Sequence, residues 1–192
     1  MTPPITQYGH PVLRQKGVRI EKITPAITQL IDDMFAAMKK AKGVGLAAQQ
    51  VGHALQLTVL DVREVTDRPS TLELDGKPVP VASHMPLVLI NPEIKPVGQL
   101  FTGPEGCLSF PEIFADITRP EAVEVTALNE KGETIAFRCG GLLAKAVQHE
   151  YDHLQGILFI DRMTADTKAE LKPELDTLQA NTKAALKKKK SG

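Results

Sequence analysis

The sequence predicts an α+β domain: mainly antiparallel strands around one buried helix, with an N-terminal helix and a C-terminal helical tail. Apolar residues recur at helical spacing in one early segment and one late segment. Between them, short β-rich runs are joined by turn signals, as in hairpins. Helices set apart from the strands, rather than alternating with them, give α+β rather than α/β. The 192 residues are about one domain's worth.

The first helix is expected over Pro25–Lys42. Thr24 can cap its N-terminus, Pro25 suits its first position, and Gly43 ends it. Ile27, Leu30, Ile31, Met34, Phe35 and Met38 form its inward stripe. A Gly-rich segment, 43–52, leads to a strand at Leu57–Val62. Residues 64–86 are polar and Pro-rich, and read as an exposed excursion. Leu87–Asn91 and Val123–Leu128 read as strands, and Asn129–Gly132 turns the chain into Thr134–Arg138. Gly140 and Gly141 then introduce a second helix, Leu142–Leu154, closed by Gly156. It is apolar on nearly all sides over its first two turns, so it should be buried. The tail divides off as 164–192: a weaker amphipathic helix over Thr164–Leu186, then a solvated run, Lys187–Lys190.

Charge excludes some functions. Twenty-three basic residues balance 23 acidic ones, so the chain lacks the basic excess of a duplex-DNA binder. The tail carries seven lysines against four acids, leaving an acidic body over 1–163. No run approaches the ~20 apolar residues of a membrane span, so no membrane partner is expected. The N-terminus lacks a basic region followed by an apolar one, which predicts a cytoplasmic protein. Two cysteines, Cys107 and Cys139, cannot make a disulfide framework.

The chemistry lies in His149-Glu150-Tyr151-Asp152-His153, an HExxH sequence within the second helix. Residues four apart share a helix face, so both imidazoles can hold one ion, with Glu150 able to reach its water. Burying two histidines and a glutamate with nothing to satisfy them would cost several kcal/mol (~2–7 for each unpaired polar group). The third ligand is open at this point. In the extended protease pattern Gly156 fits, but position 159 is Phe. Glu170 or Glu174 would complete a zincin-like protease site, though both sit on a Lys-rich helix. Cys107, in Glu105-Gly106-Cys107-Leu108-Ser109, is the other candidate. A third reading is a non-catalytic module stapled by metal, but such sites usually close with four protein ligands. Cys139 reads as a small core residue.

Three separated segments decide between these. Gly43–Gln50 fits GxGxAAxQ, 105–109 is EGCLS, and 148–153 fits QHExDH. In order and rough spacing they resemble the three signature motifs of the peptide deformylases, over about residues 5–163. The resemblance implies a metallo-hydrolase that removes the N-formyl group from the initiator methionine of nascent chains and releases formate. Its ion would be held by Cys107, His149 and His153. Fe(II) is the expected cellular ion, with Zn(II), Ni(II) or Co(II) able to replace it. Glu150 would serve as general base and then acid, and the Gln50 amide and Leu108 N–H would hold the oxyanion. Val44 and Gly45 would pair with the peptide, while Leu142 and Ala146 would line the methionine pocket. Glu105 and Arg119 correspond to an ion pair that steadies the cysteine segment, and Gln148 and Asp152 would orient the helix. Where some bacterial members carry an arginine that meets the peptide, this chain has Phe114. The tail resembles a helical extension thought to help docking at the ribosome, and its positive charge suits ribosomal RNA.

Overall fold

The computed structural model describes residues 2–190, with side chains placed through Lys188. The α1 helix, Pro25–Lys40, begins where Thr24 Oγ1 accepts the Ile27 N–H. Its end departs from expectation. The left-handed residue is Lys42, at φ 56°, and the Gly43 N–H closes the cap on the Met38 carbonyl. Gly43 is needed for a different reason, because a Cβ there would stand 2.6 Å from Leu108 Cδ1.

The strands are β1 (Gly45–Ala47), β2 (Leu57–Leu60), β3 (Ser70–Leu74), β4 (Lys77–Pro78), β5 (Leu87–Cys107), β6 (Phe110–Leu128) and β7 (Thr134–Gly140). They form one antiparallel sheet in the order β1-β2-β5-β6-β7-β3-β4. Two expectations need correction. The strands expected at Leu87–Asn91 and Val123–Leu128 are the ends of much longer ones. Pro92, Pro96, Gly98 and Pro104 are residues that commonly interrupt strands, yet β5 runs through all four: the β5–β6 ladder shifts register around Pro92 and Gly98, while Pro96 pairs with Val123 and Pro104 with Asp116. Residues 64–86 are likewise more than an excursion. Asp75 and Gly76, both at positive φ, turn a hairpin whose β3 pairs with β7 and buries Leu72.

The α2 helix, Gly141–Leu154, packs against the sheet, and most of its residues are buried. Leu142, Leu143, Ala146 and Val147 join a core with Leu60, Leu89, Val123 and Val125. A second core lies under α1, formed by Met34, Met38, Leu46, Val59 and Ile90. The tail is two helices, α3 (Ala165–Glu170) and α4 (Lys172–Lys190), with Pro173 in the first turn of α4. It packs on the body: Leu175 is buried beside Val12, Leu13, Phe110 and Phe159, with Leu171 and Leu178 against the same cluster. Of the Lys187–Lys190 run, Lys187 and Lys188 are exposed, and the last two side chains lie outside the described residues. No described helix is long and apolar enough to cross a membrane.

Candidate metal centre

The β5–β6 hairpin turns within two residues, Leu108 and Ser109, because Cys107 pairs with Phe110. That turn presents the Cys107 thiol to α2. One turn of helix separates His149 from His153, so both rings face the sulfur. The ligand atoms of Cys107, His149 and His153 all lie within 4.8 Å of one another. Cys107 Sγ is 3.3 Å from His153 Nε2. A divalent ion with bonds of about 2.3 Å to sulfur and about 2.0–2.1 Å to nitrogen fits between atoms so spaced. Glu170 and Glu174 are exposed on the tail helices and stand outside this group.

The surroundings hold the ligands in place. His149 Nδ1 is 2.5 Å from Glu105 Oε1, which fixes the ring and turns its other nitrogen toward the cysteine. Arg119 grips Glu105 with two bonds of 2.9 and 2.7 Å and reaches Asp152 with a third of 2.9 Å. All three are buried, and Arg162 closes the far side of Asp152. Burial works against the Glu105 carboxylate, but its bonds to Arg119 and His149 prevail and hold it at about 2. Gln148 donates to the Pro120 and Ala144 carbonyls, tying α2 to β6.

Electrostatics suit a cation. Burial would lower the basicity of His149, yet its bonds to Cys107 and Glu105 hold it well above the ordinary imidazole range. Burial and then the charge on His149 push His153 well below that range. Cys107 and Glu105 thus draw positive charge onto the ring between them, where a bound cation would supply it. The donor set, one thiol and two imidazoles, fits a borderline divalent ion such as zinc or ferrous iron.

A cavity of about 610 Å³ opens over this group. Val44, Gly45, Gln50, Leu108, Leu142, Ala146 and Glu150 all contribute to its lining. Glu150 is 4% exposed, and its Oε2 has no hydrogen-bond partner among the described residues. Burial pushes its carboxyl up to about 7, while the charge of His149 pulls the other way. A Cβ on Gly45 would lie 2.6 Å from Glu150 Oε1, so only glycine leaves room for the carboxylate. The Gln50 amide is held at its oxygen by the Ala47 N–H, at 2.9 Å. That bond turns Nε2 toward Ser109 Oγ at 3.3 Å and Cys107 Sγ at 3.6 Å. Gly45 lies in β1, at the sheet's edge, and Val44 immediately precedes it. Leu142 and Ala146 share the α2 face that carries His149, and both also belong to the core. Phe114 is 68% exposed at the cavity rim, its ring against Gly106. Cys139 is buried away from the cavity, and neither cysteine is in a disulfide.

Sequence reasoning named Glu105 and His149 but not the bond between them, and it missed Lys145 altogether. The Glu105–His149 bond joins residues 44 apart. Lys145 donates to the Gly103 and Pro104 carbonyls, at 2.7 and 3.0 Å, fastening α2 to the strand that carries Cys107. Its position four residues before His149 was the only available signal.

Comparison with known proteins agrees with the geometry. Residues 2–169 match the family described as polypeptide deformylase. A peptide deformylase of Opitutus terrae is 45% identical over 185 residues, covering 95% of this chain and 96% of the relative. One of Methylacidiphilum infernorum is 44% identical, covering 90% of each. The crystal structure of a plant peptide deformylase superposes with a TM-score of 0.82 at 36% identity, covering 95% of this chain and 92% of that one. A Legionella pneumophila peptide deformylase gives 0.79 at 31% identity, covering 94% and 96%. The chain belongs to the polypeptide deformylase family.

Proposed function

We propose that the cavity over Cys107, His149 and His153 is where this chain carries out its family's reaction. It is a hydrolase that removes the N-formyl group from nascent polypeptides. The observation that carries the site assignment is Glu150: a buried carboxylate with one oxygen unpartnered among the described residues, beside a three-ligand group and the Gln50 amide.

The roles follow from amide hydrolysis. A divalent ion on Cys107, His149 and His153 would supply the Lewis acidity that makes water nucleophilic near neutrality. Fe(II) is our assignment for the cellular ion, with Zn(II), Ni(II) and Co(II) as functional replacements. Glu150 accepts the proton of the attacking water and delivers it to the departing amine. Its carboxyl is buried at the cavity with one oxygen free of hydrogen bonds among the described residues, so that oxygen can take up the proton and give it back. The Gln50 Nε2 and the Leu108 N–H receive the oxyanion. An extended peptide pairs with the free edge of β1 at Val44 and Gly45. The methionine side chain enters between Leu142 and Ala146.

We further assign residues 1–163 as the catalytic unit, working in the cytoplasm where formylated chains emerge, without DNA or membrane partners. Tail contact with the ribosome is part of the same reading. Because α4 buries Leu175 against the body, charge reversal tests that contact better than deletion. Lys183→Glu with Lys188→Glu should weaken ribosome co-sedimentation, and unchanged co-sedimentation would remove the tail from the mechanism.

The reaction itself is tested with protein purified without oxygen and loaded with Fe(II) or Ni(II). Formate should be released from a formyl-Met peptide, and Glu150→Ala should abolish release with metal still bound. Full turnover in that variant would exclude Glu150 as the base.

A further inference from the structure

Near the N-terminus the chain runs under the two groups assigned to the oxyanion, and three successive residues, 6–8, bond to that machinery. The Thr6 N–H donates to the Gln50 carbonyl at 2.7 Å. Gln7 Nε2 donates to the Leu108 carbonyl at 3.3 Å, and the Tyr8 N–H to the Ser109 carbonyl at 2.9 Å. Ser109 Oγ in turn meets the Gln50 amide at 3.3 Å. Both donor residues and the Leu108–Ser109 turn are therefore anchored to one short stretch of chain, about 100 residues from Leu108 in sequence.

We propose that residues 6–8 form a strap that sets the direction of the oxyanion donors, with Gln7 as a positioning residue. The inference rests on the assignment of Gln50 and Leu108 above. Leu108 lies in a two-residue turn, where rotation about its backbone re-aims the N–H directly, and hydrogen bonds weaken steeply off-axis. The Gln7 amide holds the Leu108 carbonyl, which lies in the adjoining peptide plane hinged at the Leu108 Cα, and the Tyr8 N–H holds the Ser109 carbonyl beyond it, so the strap limits how far the turn as a whole can rotate. Its nitrogen orientation is set by two acceptors, because Nε2 also reaches the Ile5 carbonyl at 3.2 Å.

The strap is itself braced from behind. The Tyr8 ring stacks on Phe110 with centroids 4.8 Å apart. Gly9, at φ 107°, passes so close to α4 that a Cβ would lie 2.8 Å from the Gln179 carbonyl. The C-terminal helix thus has a structural part in the active site whatever else it touches.

The test separates shape from donation. Gln7→Met keeps the length and packing of the side chain and removes the donor, whereas Gln7→Lys restores a donor. With a formyl-Met peptide, Gln7→Met should lower kcat about tenfold, less than the 10²–10³ lost with a whole oxyanion donor. KM, melting temperature and bound metal should stay close to wild type, and Gln7→Lys should recover most of the lost kcat. Equal kcat in Gln7→Met and wild type, a change confined to KM, or failure of the lysine to recover activity would each overturn the strap's role. Gln50→Glu, which keeps the oxygen that Ala47 needs, distinguishes the two levels when measured alongside. If it is crippled while Gln7→Met is not, the strap alone falls. If Gln50→Glu turns over like wild type, the donor assignment falls and takes the strap with it.

Discussion

Replacing Gln50 probes the proposed oxyanion donor, and the structure says which replacement is informative. Gln50 is 1% exposed, and its two amide ends do different jobs. Its oxygen accepts the Ala47 N–H at 2.9 Å, and Ala47 is fully buried. Gln50→Ala therefore orphans a buried N–H, costing about 1–3 kcal/mol of stability besides any catalytic effect. Gln50→Glu keeps an oxygen for Ala47 and removes only the donor end. Loss of one oxyanion donor costs about 2.7–4 kcal/mol in the transition state, so kcat should fall by about 10²–10³. The new carboxylate would also face Cys107 Sγ, now 3.6 Å from Nε2, which adds repulsion in the same direction. Formate release coupled to formate dehydrogenase measures kcat and KM; metal analysis and calorimetry show whether the site and fold persist. A Gln50→Glu enzyme with full metal and kcat within threefold of wild type would refute the donor assignment. So would a loss carried entirely by KM, which marks uniform binding rather than transition-state stabilisation.

Further outcomes follow from the same contacts. Cys107→Ala should lose tight metal binding in equilibrium dialysis, whereas Glu170→Ala and Glu174→Ala should bind like wild type; the reverse would revive a zincin-like ligand set. Arg119→Met strands the buried carboxylates of Glu105 and Asp152, so unfolding free energy should drop by about 3–5 kcal/mol in urea titrations. Glu105 is held at about 2 against 4.5 in the open chain. Its stabilisation is therefore fully present above about 4.5 and lost as pH falls toward 2; Glu105→Gln should show a shallower loss of stability across that range. Cys139 is 1% exposed, and burial pushes its thiol up to about 12, so it should resist alkylation in the folded protein. Rapid labelling of Cys139 at neutral pH would contradict the packing.

Sequence made some of this legible because some determinants are local. Thr24, Pro25 and the 27–38 stripe specify α1 within one window, and HExxH specifies both imidazoles because a helix repeats every 3.6 residues. The long strands were hidden because Pro92, Pro96, Gly98 and Pro104 look like punctuation; the ladder shifts register around Pro92 and Gly98 and keeps Pro96 and Pro104 paired in place. The β3–β4 hairpin carried a readable signal, Asp75-Gly76 between β-forming runs, in a segment too polar to suggest a sheet. The ligand set needed Cys107 brought to α2 from 42 residues before His149, and no periodicity encodes such a contact. The motif resemblance indicated it. The same limit hid Glu105 on His149, Lys145 on Gly103 and Gln7 on Leu108, each a pairing decided by tertiary geometry.

The most direct test of the site is the absorption spectrum of the Co(II)-substituted protein, read together with formate release from the same sample. A thiolate ligand gives an intense sulfur-to-metal charge-transfer band that imidazole and carboxylate ligands do not. Wild type should show that band with turnover, Glu150→Ala the band without turnover, and Cys107→Ala neither. A Cys107→Ala protein that binds Co(II) as tightly and still releases formate would contradict the site assignment.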